Sequence, residues 1–152
     1  MKAIALAAVG ALSAPAVALG CALPTGAAGL MAEAAAAMNS QRAAGGRAAL
    51  TRDARLDKAA QDHACWMAET NTFSHKGAGG SLPKRRIKAA GYSTRLSAEN
   101  IAFGQTSGAE LIREWMGTSG HRENILRPEF RRIGIAVIAG PLGLMTVQVF
   151  TG

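Results

Sequence analysis

The sequence predicts an α+β domain in which helices pack against an antiparallel sheet. Apolar residues recur at helical spacing through most of the chain, whereas near the C-terminus they alternate with a period of two. Helices come first, followed by a strand, another helix and a terminal hairpin, an order typical of α+β domains. A length of 152 residues fits one such domain.

Residues 1–20 have the pattern of a secretory signal peptide. Lys2 precedes an apolar, alanine-rich run, and Ala16-Val17-Ala18 provides a small-residue cleavage motif. The run is too short, and too broken by Pro15, to predict a transmembrane helix, and no later segment is apolar for long enough. We therefore expect a secreted or periplasmic protein without a transmembrane segment, in which residues 21–30 form an N-terminal arm.

The two cysteines allow two interpretations. In an exported protein, Cys21 and Cys65 can form a disulfide that ties the N-terminal arm to a helix. Alternatively, Cys21 follows small residues, as the acylated cysteine of a lipoprotein does, and lipidation would occupy its sulfur. We favour the disulfide, because an aliphatic residue would be more usual than Ala18 at the start of a lipoprotein motif. Cys65 lies in the middle of a predicted helix and is interpreted as structural rather than nucleophilic.

Three helices are predicted in the first part of the chain. Residues 30–44 are dominated by alanine, the best helix former, and Gly45-Gly46 ends that segment. Residues 51–71 form a second helix, with Thr51 or Asp53 as its N-cap and Asn71 near its end. Its apolar stripe consists of Leu56, Ala59, Ala60, His63, Ala64 and Met67. A short basic helix starts near Pro83 and stops at Gly91.

The remaining elements surround a fourth helix. The segment "SAENIAFG" predicts the entry to a strand, with polar residues leading into Ile101 and Phe103. The segment "SGAELIREWMG" predicts a helix that opens with a Ser107–Glu110 capping box. In "RRIGIAVIAG" and "LMTVQVFTG" alternate residues are apolar, with Gly140-Pro141-Leu142-Gly143 between them. This pattern predicts a hairpin whose alternate residues face the core.

The chain is basic, with 17 lysine and arginine residues against 10 acidic ones and a formal net charge of +7. Removal of the signal peptide takes Lys2 and leaves about +6. A basic exported protein can associate with anionic lipids or wall polymers. The sequence has no zinc-finger spacing, basic heptad helix or aromatic stacking pattern, so we expect no nucleic-acid partner. Lys84, Arg85, Arg86 and Lys88 form one dense cluster, interpreted as a solvated helix face with anion binding as the alternative.

Three residues are candidates for chemistry: His75, Glu99 and His121. Each is predicted to lie in a polar loop beside a regular element, where functional groups tend to occur. Two imidazoles and a carboxylate can bind zinc, or act as acid and base around a water molecule. The plainer alternative is that each histidine hydrogen-bonds the backbone of its loop. His63, on an apolar stripe, is interpreted as a helix-packing residue.

Several motifs occur together in a fixed order: "FSH", "AENIAFG", "EWMGTSGHRENILRPEFRRIGIAV" and "TVQVF". Together they resemble the CAP superfamily of cysteine-rich secretory, antigen-5 and pathogenesis-related proteins, and its short bacterial members in particular. The resemblance covers residues 31–152. It implies a three-layer α-β-α sandwich with a central antiparallel sheet, and a cleft that contains two histidines and two acids. His75, Glu99 and His121 match three of those four positions.

The fourth position departs from the pattern of many eukaryotic members. There the second acid follows the tryptophan by three residues, and in this chain that place is Thr118. The departure weakens a mechanism that needs two carboxylates. Asn100, Arg122 and Asn124 are interpreted, with Thr118, as residues that support the cleft.

The resemblance implies a binding module more strongly than an enzyme. We expect a monomer whose cleft holds zinc or another divalent metal through His75 and His121, or a small or lipidic ligand, with Glu99 holding or activating a bound water. The first alternative is a hydrolase acting on peptides or esters, with Glu99 as the candidate catalytic residue. The second is an interaction protein that binds anionic envelope polymers through its basic surface.

Overall fold

The computed structural model describes Cys21 and residues 23–152; the predicted signal peptide lies outside the described residues. Helices and strands follow in the order α1 (Ala27–Ala44), β1 (Thr51–Arg52), α2 (Ala54–Thr70), α3 (Pro83–Ala89), β2 (Ser97–Phe103), α4 (Gly108–Gly117), α5 (Ser119–Leu126), β3 (Arg132–Gly140) and β4 (Gly143–Thr151). A 3₁₀ turn at Ala78–Gly80 precedes α3. None of the helices in this part of the chain has the length and hydropathy of a membrane-spanning segment.

The sheet has the strand order β1-β3-β4-β2, which places β2 at one edge. The predicted hairpin is confirmed: β3 pairs antiparallel with β4 from Arg132↔Thr151 to Gly140↔Gly143. The predicted strand β2 also pairs antiparallel with β4. The two-residue strand β1 pairs parallel with β3, which the sequence did not predict because two residues carry no periodic pattern.

Helices cover both faces of the sheet, as the resemblance implied. One face is covered by α1, α4 and α5, and there Trp115, Ile125 and, from the segment after α5, Phe130 pack with the β3 residues Ile133, Ile135 and Val137. On the other face α2 and α3 pack against Met145, Val147 and Val149 of β4. The alternating residues of the hairpin therefore face two cores rather than one. Burial on both faces explains why β3 also carries apolar or small residues at the positions between, whereas β4 has the buried polar residues Thr146 and Gln148 among them.

Gly134 permits the close contact between α2 and the sheet. A Cβ atom at this position would overlap the backbone of Leu56 and Asp57. The same approach lets Oδ1 of Asp57 accept a hydrogen bond from the backbone N–H of Ile135 at 2.9 Å. This contact fixes α2, and with it His63, relative to the strands.

The helix ends follow the sequence closely. The side chain of Asp53, rather than Thr51, caps α2, and Asn71 ends it in the left-handed conformation. Ser107 caps α4 by accepting from the N–H of Glu110, but the Glu110 carboxylate accepts from Thr106 instead of closing the predicted box on Ser107. Glu33 of α1 supplies a further cap, because its oxygens accept from the N–H groups of Gly108 and Ala109.

The Cys21–Cys65 disulfide is present, with the Cα atoms 5.6 Å apart. Its formation uses the Cys21 sulfur that the lipoprotein alternative requires. Helix α1 begins at Ala27, so the last four residues of the predicted arm are helical.

Helix α5 corrects the prediction of a polar loop around His121. Only Ile125 of this helix is buried, so its sequence carries little amphipathic signal. The position of α5 is fixed by Arg42 of α1, whose side chain is fully buried. Nη1 of Arg42 donates to the carbonyls of Ile125 at 2.6 Å and Arg127 at 3.0 Å, and so secures the C-terminal end of α5.

Candidate functional site

Glu99 is a buried carboxylate at the centre of the candidate site. It lies within strand β2, and not in the loop that the sequence predicted. Its Oε1 is 2.9 Å from Nδ1 of His75, and its Oε2 accepts from Nη2 of Arg86 at 2.6 Å. Its side chain is only 1% exposed. Both carboxylate oxygens are therefore engaged by partners from other segments, which is what makes burial of the charge tolerable.

His75 lies in the loop between α2 and the 3₁₀ turn, and its side chain is 52% exposed. Since a carboxylate accepts hydrogen bonds, the contact with Glu99 assigns the proton to Nδ1. In the neutral ring Nε2 then carries a lone pair. The structure thus brings two of the three candidate residues into contact, although they are 24 positions apart in the sequence.

Arg86 was not predicted as a site residue. It belongs to the basic cluster, but its side chain is only 9% exposed and points to Glu99, whereas Lys84, Arg85 and Lys88 are exposed. Arg86 also donates to the carbonyls of His75 and Ser81, and so links α3 to the histidine loop. The interpretation of the cluster as a solvated face therefore holds for three of its members and is wrong for Arg86.

His63 of α2 is buried, as its interpretation as a packing residue requires, but it also belongs to the site. Its Nε2 lies 2.8 Å from the carbonyl oxygen of Ser74 and 3.7 Å from Oε1 of Glu99. Burial lowers the pKa of His63, and the Glu99 charge opposes that shift only in part. The neutral ring donates from Nε2 to Ser74, the residue directly before His75, and thereby helps to hold the histidine loop.

His121 lies on α5, on the opposite side of β2 from Glu99. Successive residues of a strand point to opposite faces, so Glu99 meets the α2 and α3 layer while Asn100 meets α5. Nδ2 of Asn100 donates to the carbonyl oxygen of His121 at 3.2 Å. Nδ2 of Asn124 donates to Oδ1 of Asn100 at 2.8 Å and makes a longer contact of 3.4 Å with the carbonyl of Glu99.

The His121 ring lies beside Trp115, with 6.0 Å between the ring centroids. Burial lowers the pKa of His121; the charge of His75 lowers it further, and Glu114 opposes both. The charge on His75 therefore lies close enough to His121 to affect its titration. Nδ1 of His121 is buried without a hydrogen-bond partner among the described residues.

Thr118 and Arg122 have few contacts in the structure. Thr118 is exposed at the junction of α4 and α5, where its hydroxyl donates to the Glu114 carbonyl at 3.5 Å and does not cap α5. Arg122 is exposed, and its side chain forms no hydrogen bond or ion pair to the described residues. The asparagines are thus the predicted supporting residues that the contacts tie most directly to the cleft.

The site contains few side chains that could bind a metal ion. Within residues 23–152 and Cys21, no three His, Cys, Asp or Glu side chains are arranged to hold a metal ion. The two imidazoles of His75 and His121 can still supply two nitrogen ligands when neutral, and water could complete the coordination. The hydrogen bond to Glu99 orients the ring of His75, a contact of the kind that carboxylates make with metal-binding histidines in other proteins.

The three-layer sandwich, with a histidine–carboxylate pair at its edge strand, defines a class of small α-β-α domains. Residues 35–150 match the cysteine-rich secretory protein (CAP) family. The chain belongs to that family.

Relatives and solved structures agree with this assignment. The uncharacterised protein YkwD of Bacillus subtilis strain 168 is 34% identical over 114 residues, which are 75% of this chain and 44% of YkwD. The chain thus spans less than half the length of that relative. An extracellular SCP-domain protein from Bacillus anthracis has a TM-score of 0.74 at 25% identity, over 82% of this chain and 41% of the other. An outer surface protein from Borrelia burgdorferi has a TM-score of 0.73 at 22% identity, over 80% and 90% of the two chains.

Proposed function

We propose that this chain is an exported binding module whose cleft holds a divalent metal ion between His75 and His121. The observation that carries the proposal is the hydrogen bond from Nδ1 of His75 to the buried carboxylate of Glu99. It selects the tautomer whose Nε2 can coordinate a metal, and it holds the ring in one orientation.

The second imidazole is also suited to coordination. Because burial lowers the pKa of His121, this ring stays neutral to a lower pH than a free histidine would. Its orphaned, buried Nδ1 adds a ring nitrogen that the described residues do not use. Zinc fits two imidazole ligands and oxygen from water, and a bound ion would supply a Lewis-acidic position in the cleft.

An apolar group beside the cleft supports a small or lipidic ligand as a further occupant. Phe73, two residues before His75, packs edge to face against Phe103 of β2, with ring centroids 4.9 Å apart. Both rings stay more than two-fifths exposed, at 42% and 43%. An aromatic pair in that position can contact the apolar part of a ligand whose polar end meets the histidines.

The contacts of Glu99 argue against the hydrolase alternative. A general base needs a free oxygen that can reach a water molecule. Oε1 and Oε2 of Glu99 are committed to His75 and Arg86, and the side chain is nearly inaccessible. Thr118 supplies no second carboxylate. Glu99 therefore suits the role of orienting His75 better than that of activating water.

Export is supported by the N-terminal pattern and by the disulfide. Disulfides persist outside the cytosol and are rare within it. The Cys21–Cys65 bridge lies directly after the predicted signal peptide, in the position expected for the start of a mature chain. The similar Bacillus anthracis protein is described as extracellular.

Metal titration tests the proposal. We expect the disulfide-bonded protein, stripped with chelator, to take up about one zinc ion per chain and to melt at a higher temperature with zinc present. The double variant His75→Ala, His121→Ala should lose both effects. Lys76→Ala, an exposed change next to His75, is the matched control and should retain them. Equal zinc uptake by the double variant, or none by the wild type, would show that the cleft is not a metal site.

A further inference from the structure

We propose that a groove beside α3 binds an anionic polysaccharide. The groove has a volume of about 260 Å³ and is lined by Lys84, Lys88, Tyr92, Ser93 and Thr94. We refer to it as the lysine groove. It shares none of these residues with the histidine cleft, and the inference does not depend on the metal proposal.

The positive charge of the protein is concentrated in the sequence segment that contains this groove. Residues 70–98 contain six lysines and arginines and no aspartate or glutamate, while the rest of the chain has 11 basic and 10 acidic residues. Nearly the whole net charge of +7 therefore comes from this one segment. Among its cations, Arg86 is paired with Glu99; in the described part of the chain, the other five form no salt bridge.

The positions of the two lysines in the groove are electrostatically unfavourable. Lys84 and Lys88 are four residues apart on α3, so their charges lie on one face of the helix and repel each other. Lys84 donates only to the carbonyl of Arg95, at 3.4 Å. An anionic group between the two ammonium groups would remove this repulsion.

The protein holds α3 in a fixed position. Ile87 is fully buried against the α2 side of the sheet, and the Arg86–Glu99 ion pair ties the same helix to β2. On the far wall, the Thr94 hydroxyl contacts the carbonyls of Leu96 and Gly152, which fixes the loop after α3. A groove between two fixed walls loses little conformational entropy when a ligand binds.

The lining of the groove favours a sugar polymer that bears acidic groups. Two ammonium groups can bind a carboxylate, sulfate or phosphate, and the hydroxyls of Tyr92 and Ser93 can exchange hydrogen bonds with sugar hydroxyls. The volume is below the roughly 300–1,000 Å³ typical of small-molecule sites, so it would hold a single repeat of a chain. Exposed Arg85 and Arg95 nearby could meet further acidic groups along the polymer.

The surroundings fit a polymer better than a flat membrane. Leu82 is the one large apolar side chain on α3 or its flanks that is strongly exposed in the described structure, at 54%. Membrane-surface helices need a broad apolar face beside the basic one. The Arg55 guanidinium lies 4.7 Å from the Tyr92 ring centroid, but it adds no net charge to the groove because Asp53 neutralises it.

The probe for this proposal is polygalacturonate, which carries a carboxylate on each sugar, with neutral dextran as its uncharged counterpart. We expect the disulfide-bonded protein to bind polygalacturonate in low salt with chelator present, to release it in about 0.5 M salt, and to ignore dextran. No binding to polygalacturonate would overturn the proposal. So would equal or stronger binding to phosphatidylglycerol vesicles, because that result would assign the surface to membranes.

Two charge-matched variants locate the binding site. Lys84→Gln with Lys88→Gln should weaken polygalacturonate binding about tenfold, since it removes both ammonium groups. Arg47→Gln with Arg113→Gln removes the same charge from exposed positions outside residues 70–98, and should change affinity less than about twofold. Equal losses of affinity in both variants would show that the polymer is attracted by net charge alone, and would overturn the proposal that the groove is its binding site.

A third variant separates this inference from the proposed metal site. His75→Ala with His121→Ala should bind polygalacturonate as the wild type does, whether or not zinc uptake is lost. Loss of polysaccharide binding in that variant would overturn the assignment to a separate groove. All three variants change exposed or partly exposed side chains, and circular dichroism would confirm that each is folded before its affinity is compared.

Discussion

The two histidines of the cleft are held in different ways on the two sides of strand β2. His75 is half exposed, and its ring is fixed by an ionic hydrogen bond to a buried carboxylate. His121 is fixed through its backbone carbonyl by Asn100, and its ring rests against Trp115. One side thus depends on charge and the other on amides and packing. Changes to the two sides should therefore differ in cost and in pH dependence.

The largest difference in stability should appear between variants that remove Glu99 on one side of β2 and Asn100 on the other. Glu99→Ala leaves Arg86 buried without a counter-ion, so we expect a loss of about 3–5 kcal/mol in the free energy of unfolding. Asn100→Ala removes neutral hydrogen bonds and leaves no charge, so its loss should be about 1–3 kcal/mol. Urea denaturation of both variants measures the contrast.

An additional variant checks the cause of that loss. If the unpaired Arg86 charge is responsible, the double variant Glu99→Ala, Arg86→Ala should be less destabilised than the sum of the two single changes. Additive losses, or a Glu99→Ala loss no larger than that of Asn100→Ala, would show that charge does not distinguish the two sides.

The difference between local sequence patterns and long-range contacts explains which parts of the structure could be predicted from the sequence. Helix α2, the hairpin and the Cys21–Cys65 bridge follow from local periodicity and from the cysteine count. Helix α5 did not, because its single buried residue, Ile125, gives no stripe, and its position depends on Arg42 more than 80 residues away.

The candidate site also contains residues that the sequence predicted and residues that it missed. Motif resemblance brought His75, Glu99 and His121 together, and the structure places His75 on Glu99. Arg86 and His63 were missed, since a cation in a basic run and a histidine on an apolar stripe look ordinary in sequence. Only the tertiary fold shows that both point toward Glu99. An inward-facing cation that meets a distant acid is a non-local property that residue spacing does not encode.

A smaller effect should appear in the pH dependence of stability. The pKa of His63 is lowered in the folded protein, so below about pH 6.5 the unfolded chain binds a proton that the folded protein excludes. Stability should therefore fall as the pH decreases from about 6.5 toward the folded-state pKa, by at most about 1.4 kcal/mol per pH unit for this group.

Two variants assign that slope. His63→Gln removes the titrating ring, and its stability should depend less on pH than that of the wild type. Lys76→Gln, an exposed change near the same loop, should keep the wild-type slope. Thermal or urea unfolding between pH 7 and pH 5 provides the measurement, and an unchanged slope in His63→Gln would remove His63 as its source.

The smallest effect concerns Thr118, where many eukaryotic members of the superfamily have an acid. Thr118 has extended backbone angles at the N-terminus of α5, yet its side chain accepts no hydrogen bond from that helix. An aspartate there could cap α5 and add a charge near His121. We expect Thr118→Asp to stabilise the protein by about 0.5–1 kcal/mol and to raise the pKa of His121.

Thr118→Asn is the control that separates the cap from the charge. Asparagine caps helices about as well as aspartate, so both variants should gain similar stability. Only the aspartate should raise the pKa of His121, as followed by the pH titration of its ring protons in NMR spectra. Equal pKa values in the two variants would show that position 118 lies too far from the ring for electrostatic coupling. A higher pKa in Thr118→Asp alone would mean that threonine at this place keeps His121 neutral, and so available to a metal, over a wider range of pH.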